Sequence, residues 1–239
     1  SLQPIKKITP PRLENHSLVS NEVDAFIQKK LIENKLTSSE PASPRTQIRR
    51  LYFDLIGLPP SPEQIRNYEK NPSDKAYNKI VNELLESKHY GERWGRHWLD
   101  IARFGESDGF ERNNPRNNLW PFRDWVIEAL NNDMPYDEFV RMQIAGDIIK
   151  PGTEGTSAVA FLAAGLHNTV VGGSEFMKKT ARQDELEEIT GAVGQTFFGL
   201  TVNCARCHDH KYDPISQKEY YQLTSALGGV FHGERDVQD

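Results

Sequence analysis

The chain has 239 residues, of which 37% are hydrophobic and 26% charged, with a net charge of -5 from 29 basic and 34 acidic side chains. That length supports a substantial core, and a mean hydropathy of -0.65 describes a water-facing globular composition rather than a disordered or fibrous one. No run approaches about 18 consecutive apolar residues, so no transmembrane segment is expected, and no concentrated basic stripe favours nucleic acid.

In chain order the sequence reads as one helix after another, with residues 1–18 as an extended N-terminal segment. Asn21 caps a first helix carrying Val23, Phe26, Ile27 and Leu31. Ser43-Pro44 opens a second with Ile48, Leu51 and Leu55 on its apolar stripe, closed by Gly57 and Pro59-Pro60. Ser61-Pro62 starts a short third helix, and Ser73 or Asp74 starts a fourth with Tyr77, Ile80, Val81, Leu84 and Leu85. A fifth, from about Tyr90 to Phe104, places Trp94, His97, Trp98 and Ile101 on one face, with His97 toward the core.

Residues 105–118 are polar and rich in turn formers, which predicts a loop able to bind a ligand. Beside it, Asp100, Arg103, Glu106 and Asp108 form a local charged set, best read as helix-surface ion pairs and a loop cap. Helices from Pro121 and after Pro135 follow, then a loop over Lys150 to Thr156 and a short apolar helix from Ala158 to Leu166. His167 to Lys179 reads as a glycine-containing connection. Leu186, Ile189, Val193, Phe197 and Leu200 form the clearest stripe of the second half, interrupted by Gly191, Gly194 and Gly199. Each interior glycine costs about 1 kcal/mol against alanine, so something is expected to approach that backbone closely, a flat macrocycle being one candidate. Ser216 caps a last helix with Tyr220, Leu223 and Leu227, before Gly228-Gly229.

The chain has only two cysteines, Cys204 and Cys207, and His208 follows directly. Cysteines three apart on a helical turn face one way, so both thiols can add to the vinyl groups of one porphyrin edge while His208 reaches the iron as proximal ligand. This predicts one covalent haem c held by the segment 199–216. A zinc site from Cys204, Cys207, His208 and His210 is the first competing reading, disfavoured because structural zinc usually takes ligand pairs from separated segments. A dithiol redox centre lacks its usual βαβ setting, and a pair of unmodified buried thiols is a further alternative.

For the far side of the iron, His167 at the start of a loop is the first candidate and His97 the alternative, although a buried histidine more often pairs with a neighbour such as Asp100. Met134, Met142 and Met177 are softer options, and an open or water-bound position is another. His210, tied to the proximal side, reads as a surface or hydrogen-bonding residue.

The strings RRLYFDLIGLPP (49–60), YGERWGRHWLD (90–100), RDWVI (123–127), AGD (145–147) and GLTVNCARCHDHKYDPI (199–215) occur in this order. With them the chain resembles the planctomycete-type cytochrome c family, helical domains of large secreted proteins, from about Val19 to Phe231. The resemblance implies a monohaem c-type domain, exported before haem attachment and joined to companion domains. Two positions depart from it: Leu166-His167-Asn168-Thr169 stands where the family commonly has an aromatic-His-Arg-Asn string, and Asp184-Glu185 where it has an Asp-Arg pair.

The expectation is therefore an all-α single domain over residues 1–239, wrapped around one covalently attached c-type haem. The expected role is electron transfer to a redox partner protein or within a longer periplasmic or secreted protein, its signal peptide removed. The rivals are a haem enzyme of peroxidase or oxidase type with an open distal side, acting on a small molecule, and a module binding an extracellular polysaccharide around a structural haem.

Overall fold

The computed structural model describes residues 3–13, 19–110 and 112–235. Those residues separate into a unit of residues 1–47 and a unit of residues 48–239. Residues 1–2 and 14–18 of the expected extended segment, and Glu111 of the polar loop, lie outside the described residues; 3–13 carry no regular secondary structure. Ten α-helices and no named strand occur among the described residues, so the expectation of an all-α chain holds.

In the first unit, α1 spans Glu22–Glu33. The Asn21 side chain accepts from the Asp24 N–H and the Asp24 carboxylate accepts from the Asn21 N–H, satisfying two donors that a helix start would otherwise leave bare. The expected apolar stripe is largely uncovered: Val23, Phe26 and Ile27 are exposed. Gln28 bonds Ser38 at 2.8 Å and so fastens the helix to the chain that follows it.

Helix α2 (Pro44–Leu55) crosses the junction, and α3 (Pro62–Lys70) and α4 (Asp74–Leu85) follow. Ser61 and Ser73 cap α3 and α4 as expected. Ile48, Leu51, Tyr52, Tyr68 and Leu84 form a cluster of their own from these helices. After α2, Gly57 adopts φ +70°, and a Cβ there would lie 2.8 Å from Arg93 Cδ. The positive φ is what calls for glycine here, and Arg93 packs into the space a side chain would take.

The larger core gathers around α5 (Lys88–Ile101), α6 (Trp120–Asn131), α7 (Tyr136–Ile149), α8 (Thr153–Val159) and α9 (Glu175–Val193), with Phe122, Val126, Phe139, Met142, Phe161 and Ile189 among its buried residues. Phe139 stacks on Trp125 at 5.2 Å and meets the edge of Trp98 at 4.8 Å. Gln143 is fully buried; its carbonyl accepts from Trp98 Nε1 at 2.6 Å and its amide donates to the Phe139 carbonyl at 3.0 Å. A polar side chain at the centre is thereby satisfied on both ends.

Two expectations are corrected here. His97 is exposed, against Trp94 at a ring distance of 5.5 Å; the face of α5 that turns inward carries Gly91 and Gly95. A Cβ at Gly91 would fall 2.4 Å from the Ile127 carbonyl oxygen, so the bare glycine edge lets α6 come close, and His97 is rotated out to solvent. The second correction is helix α8. It begins at Thr153 inside the stretch read as a loop, and a 3-10 turn, Ala160–Ala163, replaces most of the expected apolar helix. Gly152 at φ +114° breaks the chain between α7 and α8. The sequence Thr-Glu-Gly-Thr-Ser carries little apolar periodicity to announce a helix.

Candidate functional site

Helix α9 continues into a single π turn, Gly194–Phe198, and ends at Gly199 in the left-handed region. The chain then makes a 3-10 turn, Val202–Arg206, followed by Cys207 and His208. Residues three apart eclipse one another in a 3-10 turn. Val202 and Ala205 therefore share the buried side, while Cys204 and Cys207 share the opposite side, both thiols exposed and unpaired. The glycines of α9 explain the close packing. A Cβ at Gly194 would lie 2.4 Å from Val202 Cγ2, and one at Gly191 3.2 Å from Asn203 Nδ2. The expected close approach to this backbone is made by the chain's own turn, which takes the place assigned to a macrocycle.

Side chains fix the turn from several directions. Arg206, between the two cysteines, bonds Asp184 at 2.8 Å and pairs with Glu187, both on α9. Its hydrogen bond to Asp184 raises its pKa further. The Arg206 carbonyl accepts from Gln217 at 3.0 Å and from the Tyr221 hydroxyl at 3.2 Å, both on α10 (Gln217–Ala226).

The two histidines here differ in use. His208 is exposed, and its Nδ1–H donates to the Asp209 carbonyl at 2.7 Å, which leaves the lone pair on Nε2. His210 has Nδ1 accepting from the backbone N–H of Asp213 at 2.8 Å and of Tyr212 at 3.2 Å. Its proton is therefore on Nε2, 3.0 Å from Thr201 Oγ1. Both nitrogens of His210 are engaged in shaping the loop, in line with its reading as a hydrogen-bonding residue. Cys204, Cys207, His208 and His210 form no converging ligand set among the described residues.

Met142 is buried in the core, Met134 packs against it, and Met177 is half-exposed. Met177 and His167 line a cavity of about 760 Å³ with Phe110, Leu166, Val171 and Phe176. Asp184 and Glu187 line it as well, so the residues that hold Arg206 also border this space. The charged set is not one cluster: Arg103 pairs with Glu188, Glu106 meets Arg123 at 3.0 Å, and Asp108 meets Arg116 at 2.8 Å.

The loop 105–118 and His167 come together through Arg116. Its Nε–H donates to Asp108, while Nη1 donates to the Ala163 and Gly165 carbonyls at 3.1 and 2.9 Å. The hydrogen bond from Arg116 holds the Asp108 carboxyl below its ordinary range, and the Asp108 carbonyl accepts from the His167 N–H at 2.9 Å. A second cavity, of about 400 Å³, lies between Asp108, Arg116, Asn117, His167 and His232.

His167 and His232 stack with ring centres 4.4 Å apart beside Glu185. Glu185 is also paired with Arg182, which donates to the Gly228 and Val230 carbonyls at 3.0 and 2.6 Å and lies over the Phe231 ring. Burial acts to raise the Glu185 pKa, but hydrogen bonds from Arg182 and His232 outweigh it and hold the carboxyl below its usual value. Burial pushes His232 down, against the opposing pull of Glu185. Sequence reasoning gave no role to Arg116, Arg182, Glu185 or His232: the i, i+3 spacing of Arg182 and Glu185 reads as an ordinary pair along one helix, and the partners that join them to the histidines and to the Ala163 carbonyl lie far off in the chain.

A family model described as PSCyt2, a protein of unknown function (DUF1549), matches residues 22–231, and the chain belongs to that family. No curated protein and no solved structure matches it.

Proposed function

We propose that this PSCyt2-family chain is a monohaem c-type cytochrome domain that transfers electrons, as its likeness to planctomycete-type cytochromes c implies. The observation that carries the reading is the exposed i, i+3 thiol pair with His208 beside it. Cys204 and Cys207 would hold the group by thioethers and His208 Nε2 would ligate the iron. The residues present fit that use, since both sulfurs are open on one side of a turn and the His208 lone pair is directed to Nε2 by the Asp209 carbonyl. A ligating histidine characteristically donates its other N–H in this way, which fixes the ring and raises its basicity. Bound there, haem supplies a one-electron couple.

The chain's own residues do the remaining work. Arg206, Gln217 and Tyr221 hold the turn against α9 and α10, so the ligand set stays in place. His210 shapes the loop after the motif and is spent in doing so. Haem c is attached outside the cytoplasm, so this reading puts the chain in an exported protein acting with a redox partner or companion domain. No helix among the described residues is long and apolar enough to cross a membrane.

The test is intact mass and visible spectrum of chain made in a cell competent for haem c attachment. One added haem and a c-type band are expected, both abolished by Cys204→Ser with Cys207→Ser; a bare chain carrying free thiols overturns the reading. His208→Ala is expected to change the ligand field, and the spectra of His97→Ala and His167→Ala test the two far-side candidates. The cavity bordered by Asp184 and Glu187 favours a second reading, a haem oxidoreductase acting on a small molecule. High-spin iron that reacts with peroxide selects that enzyme, and low-spin, unreactive iron selects electron transfer.

A further inference from the structure

Away from the attachment turn, three ligand-type side chains converge from three segments of the chain. His167 lies on the connection before α9, Glu185 on α9 and His232 on the segment after α10. His167 Nδ1 lies 3.4 Å and His232 Nδ1 2.5 Å from the same oxygen, Glu185 Oε1. The three ligand atoms fall within 4.8 Å of one another, and among the described residues this is the set that does so. Ligand atoms about 2.1 Å from a tetrahedral zinc ion stand about 3.4 Å apart, so the His167 to Glu185 spacing already matches and the His232 contact needs to open by about 1 Å.

We propose that His167, Glu185 and His232 form a binding site for a divalent transition cation of the zinc class. Two imidazoles and one carboxylate suit a borderline cation; calcium and magnesium favour all-oxygen sets. The His232 side chain is only 8% exposed, and Glu185 is the hydrogen-bond partner of its ring, Nε2 having none. Turning its Nδ1 to a cation therefore gives up the contact with Glu185 and no other hydrogen bond of the ring. Arg182 engages Glu185 Oε2 and leaves Oε1 to face the histidines.

The supports of the ligands are built in the same way. Arg182 grips the carbonyls just before His232, and Arg116 with Asp108 fixes the backbone at His167. Such outer contacts hold ligands in position before the ion arrives. His167, 30% exposed and lining both cavities, leaves a path by which the ion enters. The bound ion would fasten the segment after α10 to α9.

Calorimetric titration of the chelator-treated full chain with zinc chloride tests the site, alongside the Cys204→Ser, Cys207→Ser chain in which thiols supply no ligand. One binding event is expected in both. His167→Ala, His232→Ala and Glu185→Gln are each expected to weaken it by about tenfold or more, and zinc is expected to raise Tm in the parent chain but not in these variants. Far-UV circular dichroism checks folding; if a histidine variant fails it, the volume-preserving Glu185→Gln decides. No zinc binding, binding that survives Glu185→Gln undiminished, or binding lost with the cysteines alone overturns the proposal.

Discussion

Glu219 closes the start of α10 by a reciprocal arrangement: the Ser216 hydroxyl accepts from the Glu219 N–H, and the Glu219 carboxylate accepts from the Ser216 N–H and hydroxyl at 2.8 Å each. The Ser216 backbone donor, followed by its hydroxyl, holds the Glu219 pKa below its ordinary value of 4.5. A carboxyl whose pKa is lower folded than unfolded stabilises the fold above its unfolded value and loses that contribution as pH falls through its folded value. Stability from this cap is therefore expected in full above about pH 4.5 and to decline below it. Glu219→Gln should remove that part of the acid loss, which melting curves between pH 6 and pH 3 would show; parallel curves for the two chains would count against it. The cap matters to the site because α10 carries Gln217 and Tyr221, which hold the Arg206 carbonyl.

Helix contacts set the next scale, and one of the close ones engages α5 with α6. A methyl group at Gly91 would meet the Ile127 carbonyl oxygen at 2.4 Å, whereas one at Gly95 would meet the flexible Ile127 Cγ1 at 3.2 Å. Gly91→Ala is thus expected to force the helices apart at about 1–3 kcal/mol, with Gly95→Ala milder, read by chemical denaturation. Equal losses would show that the backbone contact is not what limits the approach. These two residues also show what the sequence conceals. Helix starts were legible, since Asn21, Ser61, Ser73 and Ser216 each act on donors three residues away. The inward face of α5 was not, because glycine carries no apolar signal and the nearby Trp94, His97 and Ile101 outweigh it in any periodicity count. The cysteine motif was legible as a string, and its outward display follows from the three-residue period of its turn. The group around Glu185 was illegible for the opposite reason: its histidines lie 18 residues before it and 47 after it, and only the fold joins them.

Within residues 48–239 the apolar side chains fall into two clusters, one among α2, α3 and α4 and a larger one around α6, α7 and α9. Local opening follows the amount of buried contact, so amides of α6 and of the inner side of α9 are expected to exchange hydrogen more slowly than those of α3 and α4. Hydrogen-exchange mass spectrometry checks this, and uniform exchange across both clusters would reveal one cooperative body. The cysteine-bearing turn is fastened to α9, and so to the more resistant cluster, through Arg206 and the glycine contacts of Val202 and Asn203. Its two thiols nonetheless face outward from the finished fold. Under the proposed haem attachment, maturation therefore has no forced order: a chain that has already collapsed still presents both sulfurs to an outside enzyme. On that same proposal, the exposure leaves a chain whose thiols are not yet capped vulnerable to oxidants and to cross-linking with its neighbours, so the speed of haem delivery rather than of folding would govern its yield.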